Sequence, residues 1–201
     1  GVHYWRHLGP EYKNWYSAVF GAALLQEQSR VNIAGKMEVK PVEPVREFLR
    51  TNLALSKQIV PDVKRFVYFH TQWTTEIDDH KKYPDAILRK ADGTAWIQEP
   101  YHFFVPTAEN DFGKTLLQAI DDACKQFDLD GIYIDEMNSS LSRKAYGMWD
   151  KVSVELDKNN NVVRKIGFVP LLKLDFTMKM LELITVKNKK MAVGNFCPET
   201  R

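Results

Sequence analysis

The sequence is poor in cysteine: Cys124 and Cys197 are the two among 201 residues. Two cysteines do not make a disulfide framework, so cysteine usage leaves the redox compartment open. There is no Cys-x-x-Cys motif and no pair of histidines at metal-ligand spacing, which argues against a structural zinc site. We therefore expect no bound metal.

Long apolar runs and the common cofactor-binding and catalytic motifs are also missing from the sequence. No apolar run is long enough to span a membrane, and a net charge of +2 without a basic stripe argues against nucleic-acid binding. The sequence has no glycine-rich phosphate loop, so no cofactor is expected, and no Gly-x-Ser-x-Gly elbow. It opens Gly1-Val2-His3 without a signal peptide or initiator Met, which favours a processed chain or a fragment.

The composition that is present, 44% hydrophobic and 27% charged residues, is typical of a globular protein, and we expect one domain over residues 1–201. Apolar periodicity predicts helices and strands in alternation, with a long irregular region between the second strand and the third helix. The predicted helices cover about 9–28, 44–60, 111–127 and a stretch from Pro170. The predicted strands cover 30–33, 65–70, 131–135 and 190–195, with a β-hairpin over 152–166 and the irregular region over 73–106.

Alternating helices and strands indicate an α/β fold with parallel strands. We expect strand 131–135 to be central, flanked by the strands at 65–70 and 190–195. A complete eight-stranded barrel needs about 250 residues, so the preferred interpretation is a partial or truncated TIM-type (β/α) barrel, with a long loop and the hairpin as an insertion. A small, open, doubly wound sheet is the alternative.

Polar side chains follow the predicted strands, where parallel α/β sheets carry their active sites. They are His70, Gln72, Asp135, Glu136, Asn195 and Glu199. Neighbours on a strand point to opposite faces, so Asp135 and Glu136 are unlikely to form one catalytic pair. Cleaving a glycosidic bond takes two carboxyl groups about 5–9.5 Å apart, and Glu199 is the nearest second candidate in topology. We expect His70, Gln72 and Asn195 to bind substrate.

Aromatic residues in loops offer flat surfaces on which sugar rings could stack. The candidates are Trp73, Trp96, Tyr101 and Trp149. Trp149 is the strongest of them, because the neighbouring Asp150 could accept a hydrogen bond from a sugar hydroxyl. Simple packing of these rings on the core is the alternative interpretation.

The run Asp130-Gly131-Ile132-Tyr133-Ile134-Asp135-Glu136 carries a resemblance to a known family. It resembles the central-strand motif of (β/α)8-barrel glycoside hydrolases, in which an aspartate closes a strand of the form Asp-Gly-Ile-apolar-x-Asp. The surrounding pattern, over roughly 60–201, is similar to that of poorly characterised barrel hydrolases related to the α-glycosidases. The resemblance implies that Asp135 is the catalytic aspartate, the nucleophile in retaining members. It implies an acid/base on a later strand, where Glu199 is available.

Three functions follow from these patterns. The first is a glycoside hydrolase with carbohydrate as its partner. The second is a non-catalytic barrel remnant that binds glycans or forms a structural part of an extracellular assembly, with a further chain or domain completing the barrel. The third is a metal-assisted hydrolase that uses Asp135, Glu136 and His70 as ligands. Asn138 begins an N-glycosylation sequon, which favours an extracellular or secretory location.

Overall fold

The structure is a computed structural model that describes residues 2–6, 16–21, 28–33, 36–41, 43–74, 78–99, 101–135, 137 and 143–194. The chain divides into two compact units. Unit 1 comprises Gly1–His70, Leu117–Asp135 and Met180–Asn195. Unit 2 comprises Thr71–Leu116, Glu136–Lys179 and Phe196–Arg201.

Helices of the described residues follow the apolar periodicity of the sequence from the second predicted helix onward. They are α1 (Glu43–Ile59), α2 (Asp79–Lys82), α3 (Asp111–Gln126), α4 (Val169–Leu172) and α5 (Leu174–Glu182), which continues into a π-helical turn at Leu183–Lys187. Pro170 lies in the first turn of α4, where its missing N–H costs no helical hydrogen bond. Among the described helices, none has the length and apolar character needed to cross a membrane.

Strands of the described residues are mostly short. They are β1 (Val2–Arg6), β2 (Tyr16–Gly21), β3 (Gln28–Ile33), β4 (Lys36–Pro41), β5 (Lys64–His70), β6 (Trp73–Thr74), β7 (Ile97–Gln98), β8 (Tyr101–Phe103), β9 (Gly131–Asp135), β10 (Lys144–Ala145), β11 (Val154–Leu156), β12 (Val162–Lys165), β13 (Gly167–Phe168) and β14 (Met191–Gly194).

The main sheet belongs to unit 1 and has the strand order β1-β2-β5-β9-β14. Strand β9 pairs in parallel with β5 on one side and with β14 on the other, as the sequence predicts. Strand β2 pairs in parallel with β5, and β1 pairs antiparallel with β2. Strands β3 and β4 form a separate antiparallel hairpin.

The predicted barrel is wrong. The main sheet of the described residues is open, with β1 and β14 at its edges, whereas a barrel joins its first and last strands. In their described residues, the segments between the parallel strands supply no further parallel strand to this sheet; those of 71–116 and 136–179 build small sheets in unit 2. The parallel strands follow one another in chain order, without the reversal that defines a doubly wound sheet.

The predicted helix over 9–28 is also wrong where the structure describes it, because residues 16–21 form strand β2. This segment contains Tyr16, Val19 and Phe20, residue types that favour strands. The helical spacing of its apolar residues therefore gives way to pairing with β1 and β5, as tertiary context often overrides a local pattern.

The core of unit 1 consists of apolar side chains from α1, the sheet and the two later helices. Its buried members are Leu49, Leu53, Val63, Phe66, Val67, Phe69, Ile120, Ala123, Phe127, Leu129, Ile132, Ile134 and Ile184. Cys124, a free cysteine, is buried on α3 as predicted, and burial raises the pKa of its thiol to about 11. That thiol therefore stays protonated and unreactive at neutral pH.

Unit 2 contains three small sheets: β6-β8-β7, β10-β13 and the predicted hairpin β11-β12. Its apolar cluster includes Leu88, Phe103, Val105, Ala145 and Val169, with Trp73, Trp96, Met148 and Leu172 packed against it. An aromatic group of Tyr83, Phe104 and Phe112 adds to this interior. The predicted irregular region therefore has an organised core of its own.

Candidate active site

The two sides of strands β5 and β9 differ in character. Val67, Phe69, Ile132 and Ile134 alternate along the strands and are at most 3% exposed. The alternate positions carry partly exposed polar side chains, and these are Tyr68, Tyr133 and Asp135. Residues two apart on a strand share a face. The sheet therefore presents an apolar face to the core and a polar face near its carboxyl end.

The first two residues of the motif at strand β9 have a structural role. The Asp130 carboxylate accepts hydrogen bonds from the backbone N–H of Arg65 at 3.0 Å and from its Nε at 3.1 Å, which joins the starts of β5 and β9. A side chain at Gly131 would collide with the carbonyl oxygen of Met191 and the ring of Phe66. Asp130 and Gly131 thus position β9, and Asp135 at its other end is available for chemistry.

Tyr68 and Tyr133 surround the Asp135 carboxylate with phenol groups. The Tyr68 hydroxyl donates a hydrogen bond to Asp135 Oδ2 at 2.7 Å. The rings of Tyr68 and Tyr133 stack with their centroids 6.0 Å apart and an interplanar angle of 27°. Burial, and then the negative charge of Asp135, raise the pKa of Tyr133 above its ordinary value. Asp135 is therefore close enough to Tyr133 to influence the phenol group.

His70 is the second predicted site residue that the structure brings to this point. Its Cα is the register partner of Asp135 in the parallel pairing of β5 and β9. Register partners project from the same face of a sheet, so an imidazole and a carboxylate lie side by side at the end of two adjacent strands. His70 is 6% exposed. This pair can bind a polar substrate group and can exchange a proton with it.

Gln72 is buried in unit 2, where its backbone carbonyl accepts the N–H of Phe104 at 2.7 Å. The neighbouring Thr71 takes part in a contact that the sequence did not suggest. Lys173 is 2% exposed, and its Nζ lies 3.3 Å from Thr71 Oγ1 and 3.2 Å from the carbonyl oxygen of Met137. A buried ammonium thus ties together the segments that follow β5 and β9 in the chain. The sequence signal was weak: one lysine between leucines, which the structure places between α4 and α5.

Asp150 accepts hydrogen bonds at all of its usual acceptor positions. Its Oδ1 accepts the N–H groups of Val152 and Ser153 at 2.9 and 2.6 Å, and its Oδ2 accepts the Ser153 hydroxyl at 2.6 Å and the Phe168 N–H at 2.7 Å. Burial acts to raise the pKa of Asp150, but these bonds outweigh it and lower the pKa to about 2. The carboxylate stabilises its loop, and its role in sugar binding stays a prediction.

Trp149 lies beside Asp150 and is 42% exposed. Its Nε1 donates to the carbonyl oxygen of Ser153 at 3.2 Å, and Lys165 Nζ lies 4.1 Å from its ring centroid. Trp73 and Trp96, two other predicted stacking residues, pack on the apolar cluster of unit 2, and Trp73 also contacts the ring of Tyr101 at 4.6 Å. The exposed part of the Trp149 ring is thus the strongest remaining surface for stacking in this group.

Four of the predicted residues lie outside the described part of the chain: Glu136, Asn138, Asn195 and Glu199. The second catalytic carboxylate, the amide expected to bind substrate and the glycosylation site therefore stay predictions. Within the described ranges, no group of three or more His, Cys, Asp or Glu side chains is arranged to hold a metal ion.

His80 and His102 form a buried pair in unit 2 that sequence spacing did not suggest. Their ring centroids are 4.6 Å apart, and His102 is 3% exposed. His80 Nε2 and both ring nitrogens of His102 have no hydrogen-bond partner among the described residues. Burial and the proximity of His102 lower the pKa of His80. The lowered pKa favours the neutral form of the His80 ring, because burial penalises its charged form.

Neither the protein-family models nor the curated proteins include a match to this sequence. Among solved structures, the chain is similar to alpha-L-fucosidase isoenzyme 2 from Paenibacillus thiaminolyticus, with a TM-score of 0.48 and 14% sequence identity. The similarity covers 74% of this chain and 22% of the fucosidase chain. At this identity and TM-score, the similarity supports no argument about the fold or activity of this chain.

Proposed function

We propose that this chain hydrolyses glycosidic bonds and that Asp135 is its catalytic carboxylate. The supporting observation is a partly exposed carboxylate at the carboxyl end of the central parallel strand β9, with its Oδ2 held by Tyr68 at 2.7 Å. Ligands of α/β proteins bind at this end of the strands. A carboxylate in a defined orientation suits a nucleophile that attacks the anomeric carbon, or a base that activates water.

The reaction needs a second carboxyl group that protonates the departing glycosidic oxygen. We propose Glu199 for this role, because Glu136 directly follows Asp135 and the side chains of neighbouring strand residues point to opposite faces. Water is the second substrate, and the products are a free sugar and the released alcohol. His70, as the register partner of Asp135, is proposed to bind a sugar hydroxyl next to the reacting carbon.

The proposed activity implies further substrate-binding residues, a partner and a location. Gln72, Trp149, Asp150 and Asn195 are proposed as substrate-binding residues. Carbohydrate is the proposed partner, and a further chain or domain is proposed to complete the enzyme. Glycosylation at Asn138 and an extracellular or secretory location belong to the same proposal, since secreted hydrolases meet glycans there.

The test is Asp135→Asn, assayed on a panel of aryl glycosides that covers the common pyranoses in both anomeric forms. The substitution preserves shape and removes the charge that a nucleophile or base needs. We expect turnover to fall by about 10³-fold or more. Asp157→Asn is the matched control, because Asp157 is a carboxylate of the exposed β11-β12 turn. It should retain wild-type turnover.

Chemical rescue makes the test sharper. In a retaining enzyme, azide added to Asp135→Gly should restore release of the aryl group and yield a glycosyl azide of inverted configuration. Full turnover by Asp135→Asn would exclude Asp135 from the chemistry. Glycan binding by a wild-type protein that turns over no substrate would favour the non-catalytic glycan-binding alternative.

A further inference from the structure

We infer that Tyr68 is a positioning residue for Asp135, which fixes the orientation of the carboxylate during glycoside hydrolysis. This inference rests on the proposed function. It adds to the proposed site a residue that the pattern of polar side chains at strand ends did not indicate. Its geometric basis is the contact between two adjacent strands, β5 and β9.

The contact is short and comes from a side chain with few degrees of freedom. The Tyr68 hydroxyl donates to Asp135 Oδ2 at 2.7 Å, a distance typical of a strong bond to a charged acceptor. The Cα of Tyr68 is the register partner of Tyr133, and the two rings stack. Two residues along β9, Asp135 lies on the same face. The sheet register therefore determines where the hydroxyl meets the carboxylate.

The stacked Tyr133 ring restricts the position of the Tyr68 ring from one side. A phenol that is held in this way loses little freedom when it donates, so more of the bond energy acts on the carboxylate. Tyr68 should thus hold Oδ2 of Asp135 in one place.

The same kind of bond occurs in unit 2, where it offers a matched control. The Tyr146 hydroxyl donates to Glu155 Oε1, also at 2.7 Å. Glu155 further binds Lys144 and Arg164, so this group is an exposed ionic network on the β11-β12 hairpin. Tyr146→Phe removes an equivalent bond at a place where no part of the reaction is proposed.

The experiment compares Tyr68→Phe, Tyr146→Phe and wild type on the best substrate of the panel. Tyr68→Phe should lower kcat/KM by about 10- to 100-fold, which corresponds to one hydrogen bond to a charged group. The loss should fall on kcat and leave KM nearly unchanged, because Tyr68 orients a group that acts in the chemical step. Tyr146→Phe should leave both constants unchanged. Equal kcat in Tyr68→Phe and wild type would overturn the inference.

Two further measurements keep the outcome decisive. If Tyr68→Phe does not fold, 3-fluorotyrosine at position 68 keeps the shape and strengthens the donor, and it should change kcat and leave KM nearly unchanged; an unchanged kcat counts against Tyr68. If wild type turns over no glycoside, the proposed hydrolysis fails independently. The chemical shift of the 13C-labelled Asp135 carboxyl group at neutral pH then decides the role of Tyr68. It should change in Tyr68→Phe, because the hydrogen bond is lost, and an unchanged chemical shift overturns the inference.

Discussion

Asp135 and Asp150 are both carboxylates that lie next to loops, but their surroundings give them different roles. Asp150 holds a loop of unit 2 through four hydrogen bonds, two at each oxygen. Asp135 ends a central strand of unit 1, and its Oδ2 accepts a hydrogen bond from the tip of a long side chain, Tyr68. Backbone donors on both oxygens immobilise Asp150 in its loop. A side-chain donor can instead yield to a substrate.

The comparison teaches that the identity of the donors separates a structural carboxylate from a candidate for chemistry. Backbone N–H groups cannot move away without unfolding their segment, so the carboxylate they hold is committed to the fold. The hydroxyl that Asp135 accepts belongs to a side chain, so this contact commits no backbone segment. The predictions below test this difference through stability, local charge and ligand binding.

The largest expected effect is on stability, with Asn placed at each of the two positions. Either orientation of the amide in Asp150→Asn sets its NH2 against two donors, so at least two bonds are lost. We expect the free energy of unfolding to fall by about 3 kcal/mol. In Asp135→Asn the amide oxygen can still accept the Tyr68 hydroxyl, and we expect a change below about 1 kcal/mol. Urea denaturation followed by far-UV circular dichroism measures both.

Acid titration provides the control for this result. The pKa of Asp150 falls from 3.8 to about 2 on folding, so its contribution to stability is present above the unfolded pKa. It is lost as the pH falls through this interval. Asp121 and Glu155 also have a pKa lowered to about 2, so the difference between wild type and Asp150→Asn is the quantity to follow. A difference that stays constant from pH 5 to about pH 2 would contradict the assignment.

Much of the fold was predictable where a pattern is local. Helices α1 and α3 follow the predicted periodicity, and strands β5, β9 and β14 pair as expected. The barrel prediction was wrong because closure depends on which strands, distant in the sequence, pair with each other. The sequence of a single strand does not show whether that strand lies at the edge of a sheet. The helix predicted over 9–28 was wrong at β2 because the spacing of the apolar residues there fits a helix as well as a strand.

The site shows the same division between local and distant information. Asp135 was predicted because it closes an apolar strand after a recognisable motif. Tyr68 is 67 residues away, and it reaches Asp135 through the register of two strands, which no spacing rule supplies. The hydrogen bonds to Asp150 include one from the backbone N–H of Phe168, and no pattern of side chains in the sequence indicates that contact.

The next effect is electrostatic and concerns Tyr133. Burial is the main cause of its raised pKa, and the charge of Asp135 adds to it. Removing that charge in Asp135→Asn should lower the pKa of Tyr133, while the remaining burial keeps it above the ordinary 10.0. Asp150→Asn should leave it unchanged. Titration of 13Cζ-labelled tyrosine by NMR gives the value, and an identical pKa in Asp135→Asn and wild type would refute the coupling.

The smallest expected effect concerns Trp149, whose loop Asp150 holds in place. Its ring is 42% exposed, with the Lys165 ammonium 4.1 Å from the ring centroid, so the ring can offer only part of its surface to a pyranose. We expect an oligosaccharide that shifts wild-type tryptophan fluorescence to bind about 5- to 10-fold more weakly to Trp149→Ala, the loss of one stacking contact of about 1 kcal/mol. Leu156→Ala removes an exposed apolar side chain from the neighbouring hairpin and should bind like wild type. Unchanged affinity in Trp149→Ala would assign this ring to packing alone. Weaker binding in Asp150→Asn as well would support a role of Asp150 in ligand binding, either by direct contact or by holding the tryptophan in position.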